Sequence, residues 1–161
     1  MDLGSAFIGA IIIVICIVPF VLMSRGNSKR EKQLFLSLAN KAKEYNSQIS
    51  QHEFCGDFVI GMDELTNFVF FYKQKNEDSI SQFVDLSCVQ ECLPLKSTKS
   101  RRSKNGEEQV VERVALRFVP KSTLSQETKF ELFGLENMQL SGELQLVEKW
   151  SKQINALLKN K

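Results

Sequence analysis

Hydrophobic and polar positions fall into four successive patterns along the chain. Ala6–Met23 is apolar without a charge or an Asn, Gln or His across eighteen residues. At about 1.5 Å per helical residue it would extend roughly 27 Å, which predicts a membrane-spanning helix. From Ser28 to about Gln51 the apolar residues recur every three to four positions: Leu34, Leu38, Ala42, Tyr45 and Ile49. That spacing predicts one amphipathic helix, opened by a Ser28–Glu31 capping box. Between Phe54 and Phe133 the period falls to two, the mark of strands with one buried face. From Ser141 onward Leu144, Val147, Trp150, Ile154, Leu157 and Leu158 form a helical stripe, with Ser141 read as its N-cap.

Within the period-two region, Phe58, Ile60 and Met62 alternate, and a turn over residues 63–67 leads to Phe68-Val69-Phe70-Phe71-Tyr72. The second of these strands is aromatic on both faces, which predicts a central strand covered on both sides. A further strand is expected over residues 80–89. Pro94 limits the next run, Glu91–Leu95, to an edge or a strand end. Lys96–Asn105, KSTKSRRSKN, reads as a loop. Strands are expected over Val110–Val119 and Thr128–Phe133, with a short one over Leu135–Leu140.

These patterns divide the chain into a short tail (1–5), a transmembrane helix (6–23), a juxtamembrane amphipathic helix (24–53) and one β domain (54–161). A cleaved signal peptide is disfavoured, because Met1–Phe7 carry only Asp2 and Val21-Leu22-Met23-Ser24-Arg25 offers a poor small-x-small cleavage site. Arg25, Lys29, Arg30 and Lys32 flank the run on its C-terminal side. Basic flanks stay inside, so the expected arrangement is a single-pass membrane protein with its N-terminus out and its domain cytoplasmic.

Net charge is +2, which gives no general case for nucleic acid. Cys16, Cys55, Cys88 and Cys92 have no metal-site spacing, and His52 is the one histidine. No phosphate loop, nucleophile elbow or metal motif is legible, so neither enzyme activity nor a cofactor is expected. The concentrated chemistry is basic. Lys96, Lys99, Arg101, Arg102 and Lys104 lie within nine residues that contain no acid, a pattern that suits an anionic partner. No aromatic residue interleaves them, which argues against nucleic acid.

An antiparallel series of strands with no helix between them, closed by one helix, resembles the pleckstrin-homology-like superfold, including GRAM and bacterial PH domains. The residues that carry the resemblance are the Asp57-Phe58-Val59-Ile60-Gly61 strand, the Val84-Asp85-Leu86-Ser87-Cys88-Val89 strand and the last helix with Trp150. As a whole the chain looks like bacterial single-pass membrane proteins carrying such a domain. The resemblance implies an α+β fold, a partial barrel or sandwich capped by a C-terminal helix, with Trp150 as its structural anchor. It also implies a binding module. Phosphoinositide-binding PH domains use basic residues in the first hairpin, where this chain has Asp63 and Glu64. The expected function is a non-enzymatic, membrane-anchored adaptor that recruits a protein or an anionic lipid. The alternative is a structural subunit whose helices assemble a membrane complex, in part through Leu34, Leu38 and Tyr45.

Overall fold

A computed structural model describes residues 28–103, 106–134 and 139–160. The order is α1 (residues 28–44), β1 (Gln51–Cys55), β2 (Phe58–Asp63), β3 (Phe68–Lys75), β4 (Asp78–Asp85), β5 (Val89–Ser103), β6 (Gly106–Pro120), β7 (Thr128–Phe133) and α2 (Glu143–Lys159). The strands form two antiparallel sheets in sequence order, β1-β2-β3-β4 and β5-β6-β7.

This architecture corrects the fold and location expected from the hydropathy pattern. Among the described residues no helix is long and apolar enough to cross a membrane. Both helices are amphipathic, with one buried stripe and a mostly charged or polar remainder that leaves Leu36 of α1 exposed. A transmembrane, single-pass architecture with a cytoplasmic domain is therefore not supported. Ala6–Met23, on which it rested, lies outside the described residues, as does Arg25.

The first sheet is covered on both faces. Phe58, Ile60 and Met62 on β2, with Val69 and Phe71 on β3, face the second sheet. Their alternates, Val59 and Phe70, lie in a separate core under Leu34, Leu38 and Ala42 of α1. Gly61 makes this close approach feasible. A Cβ there would sit 2.9 Å from Leu38 Cδ2, 3.0 Å from Ile49 Cγ2 and 3.1 Å from the Gln51 carbonyl oxygen.

The helix expected through Gln51 ends at residue 44. Asn46 takes a left-handed φ of 53°. The N–H groups of Asn46 and Ser47 then close on the carbonyls of Lys43 and Ala42. Tyr45 and Ile49 still pack on the outer core beyond the helix end, which explains why the apolar stripe looked continuous. The chain re-enters as β1, a strand where the sequence pattern suggested a helix end.

Asp63 fastens this connection to the β2–β3 turn. Its carboxylate accepts the Gln48 N–H at 2.9 Å, the Leu65 N–H at 2.9 Å and the Thr66 hydroxyl at 2.7 Å. The Ser47 hydroxyl lies 2.7 Å from Thr66 Oγ1. Because Thr66 gives its proton to Asp63, Ser47 is the donor in that contact.

The expected strand over residues 80–89 is divided among β4, a 3-10 turn and the first residue of β5. Asp85 accepts the Ser87 N–H at 2.8 Å and starts a 3-10 turn, Leu86–Cys88, which carries the chain from the first sheet to the second. Between the sheets, Phe71 of β3 stacks on Phe130 of β7 with centroids 5.2 Å apart, and Phe118 meets the same ring edge-on at 4.8 Å. Lys73, also buried, donates to the Leu132 carbonyl at 3.0 Å and ties β3 to β7. α2 lies on β5, β6 and β7 and contributes Leu146, Val147, Trp150 and Ile154 to this core.

The N-cap of α2 is Gly142, with φ 117°, rather than Ser141. The buried Glu143 carboxylate instead accepts the Ser141 N–H at 2.5 Å. The expected strand over 135–140 falls largely on residues outside the described set.

Candidate binding surface

The stretch read as a basic loop is the outer half of β5. β7 pairs with β6 only over Val114–Phe118. From Ser97↔Arg113 to Ser103↔Gly106, β5 and β6 continue as a ribbon with no third strand among the described residues. At about 3.4 Å per residue the ribbon reaches roughly 20 Å beyond the three-stranded part of the sheet. A register shift between Ser97 and Thr98 marks its base.

Along this ribbon the two strands differ in sign. Lys96, Lys99, Arg101 and Arg102 lie on β5 and are all exposed; Lys104 lies outside the described residues. β6 brings Glu107 opposite Arg102 and Glu108 opposite Arg101. Cross-strand partners share a face, so Lys99 and Arg101 project on one face while Lys96 and Arg102 project on the other. Among the described residues no carboxylate lies within ion-pair distance of Lys96, Lys99, Arg101 or Arg102. Nearer the body of the sheet the cations are paired: Arg117 with Glu127 at 2.7 Å and Arg113 with Glu131 at 3.3 Å.

β5 is an edge strand throughout, and α2 closes part of that edge. The Asn155 side chain accepts the Cys92 N–H at 2.8 Å and donates to the Cys92 carbonyl at 2.7 Å. The Ser151 hydroxyl donates to the same carbonyl at 2.8 Å. Two residues on, Pro94 has no N–H to offer. Farther out, Lys96, Thr98, Ser100 and Arg102 turn their backbone groups to the same side as Cys92, by the alternation of a strand. Among the described residues nothing bonds to them.

The other residues picked out by the sequence do not converge on this surface. Lys29, Arg30 and Lys32 are exposed at the start of α1. Trp150 is 1% exposed and its indole N–H donates to Glu53 at 3.1 Å, beside the Lys149–Glu53 ion pair at 2.8 Å. His52 stands between the Phe35 and Phe54 rings, at 4.5 and 5.2 Å.

Among the described cysteines, Cys88 is exposed and Cys55 and Cys92 are buried. Burial pushes the Cys55 thiol up to about 11 and the Cys92 thiol up to about 12, so both stay protonated and poorly nucleophilic. Among the described residues no group of three or more His, Cys, Asp or Glu could hold a metal ion. Three clefts among the described residues are partly open to solvent. One of about 410 Å³ runs beside α1, lined by Phe35, Ala39, Lys43 and Ile49 among others.

The sequence pattern missed the acidic strand opposite the basic one and the closure of the edge by Asn155. The signals for both were thin: Glu107-Glu108 just after the basic run, and a polar residue inside the apolar stripe of the last helix. In comparison with known proteins, no family model, no curated protein and no solved structure matches the chain.

Proposed function

We propose that the chain is a non-enzymatic binding module of the pleckstrin-homology-like kind, and that its working surface is the β5–β6 ribbon, which holds an anionic protein partner. The observation that carries this reading is the set of four exposed cations, Lys96, Lys99, Arg101 and Arg102, on one strand of a projecting ribbon with no paired carboxylate among the described residues. The order of a four-stranded sheet, a three-stranded sheet and a C-terminal helix with a buried Trp supports the family part of the reading.

The alternative, assembly through the first amphipathic helix, is weakened by burial. Leu34 and Leu38 are 1% and 0% exposed, covered by the chain's own sheet. Tyr45 is packed among Phe68, Phe70 and Phe83.

The test is binding of the full chain to fluorescently labelled poly-L-glutamate, followed by anisotropy at low and high salt. The expected result is binding that weakens with salt and falls at least about tenfold when Lys99, Arg101 and Arg102 are changed to Ser. Equal binding by the two proteins would overturn the reading.

A further inference from the structure

The free edge of β5 supplies a specific mode by which the ribbon would hold its partner. We infer that an extended, acidic segment of a partner protein adds to β5 as a further strand along Lys96–Arg102. This inference rests on the ribbon being the binding surface and adds the backbone geometry of the contact.

Two features confine the site to one window. Toward the base, the edge is already occupied at Cys92, whose N–H and C=O both bond to Asn155, and at Pro94 it lacks a donor. Toward the tip, the window ends where Ser103 and Gly106 pair. Between these limits the outward N–H and C=O groups of Lys96, Thr98, Ser100 and Arg102 have no partner among the described residues. An added strand would satisfy them with ladder hydrogen bonds, which confer affinity without reading side chains.

Charge then selects the strand. Positive side chains flank the window on both faces, Lys99 and Arg101 on one and Lys96 and Arg102 on the other. A partner with acids at every second position would answer one face only. Acids at adjacent positions answer both. The chain already contains such a strand on the opposite edge of β5: Glu107 and Glu108 of β6, in register with Arg102 and Arg101. The same cations keep apolar and basic strands off an open edge, so they serve discrimination as well as attraction.

The experiment compares short synthetic Thr/Glu peptides with a central Glu-Glu pair, binding to the full chain. One peptide is unmodified, a second has alternate backbone nitrogens methylated, and a third carries Gln-Gln in place of Glu-Glu. On the protein side, Ser100→Pro removes one outward N–H and leaves the β5–β6 ladder in place, as Pro94 does.

The inference expects the unmodified peptide to bind. The methylated peptide, the Gln-Gln peptide and the Ser100→Pro protein should each lose about tenfold or more in affinity. The methylated peptide alters the ligand alone, so it decides the matter even if Ser100→Pro disturbs the ribbon.

Equal binding of the methylated and unmodified peptides would overturn strand addition while leaving the anionic surface standing. Failure of poly-L-glutamate and peptides alike would overturn both. Two other results would also displace the inference. One is vesicles rich in phosphatidylglycerol binding where the peptides do not. The other is self-association, lost on changing Glu107 and Glu108 to Lys, with no peptide binding; this would put a second copy of the chain in the window.

Discussion

Asn155 on α2 holds both backbone groups of Cys92 on β5, accepting its N–H at 2.8 Å and donating to its carbonyl at 2.7 Å. One side-chain amide thus stands in for a neighbouring strand, and the helix guards the sheet edge where the two meet. Changing Asn155 to Ala removes both bonds and leaves the Cys92 N–H without its acceptor. Chemical denaturation should show a loss of about 1–3 kcal/mol. A loss below about 0.5 kcal/mol, the range of an ordinary surface change, would mean that the edge is not closed this way.

Trp150 is the largest fully buried side chain of the inter-sheet core. Trp150→Ala should cost about 3–5 kcal/mol, from lost burial and the cavity it leaves. Trp150→Phe keeps most of the apolar contact but not the N–H that Glu53 accepts, so it should cost clearly less. An unchanged melting temperature in the Ala variant would contradict the capping role of α2.

Gly61 sets how closely α1 lies on the first sheet. Gly61→Val places branched carbon where Leu38 and Ile49 stand within about 3 Å of a Cβ. The expected loss is about 1–3 kcal/mol, and it should fall mainly on the outer core. Hydrogen exchange is the informative measurement. Amides of residues 28–44 should lose protection, while those of β6 and β7 should keep it.

Asp63 makes stability depend on acid. Burial opposes its ionisation, but the N–H of Gln48, the Thr66 hydroxyl and the N–H groups of Leu65 and Thr66 outweigh that and hold the carboxyl below its ordinary 3.8. A carboxyl with a lowered folded pKa contributes stability that is complete above the unfolded value and disappears as pH falls through the folded one. Asp63→Asn should therefore cost about 1–3 kcal/mol near neutral pH. The difference from the parent protein should stay level down to about pH 5 and shrink below about pH 4. A difference that grows on acidification would rule out the charged form as the stabilising one.

Much of the sheet architecture was legible because each buried face left its own period. Phe58, Ile60 and Met62 gave β2, and the doubly aromatic β3 announced a strand covered on both sides. Other features were hidden for identifiable reasons. Tyr45 and Ile49 kept a helical spacing beyond the helix end because both still face the outer core. The basic stretch looked like a loop because a ribbon exposed on both faces has no apolar alternation to betray it. The Asp63 and Asn155 contacts depend on partners about fifteen and sixty residues away in sequence, which no local pattern reports. The long apolar run suggested a membrane architecture, but no helix among the described residues is long and apolar enough to cross a bilayer.

The helix over the outer face also changes where the folding unit begins. A boundary at Phe54, where the period-two pattern starts, would cut β1 after three of its five residues. It would also strip the cover from Val59 and Phe70, both 0% exposed in the folded chain. A fragment made to that boundary would present a bare aromatic sheet and should aggregate. One that begins at residue 28 retains the helix and both cores, and is the piece to express in isolation.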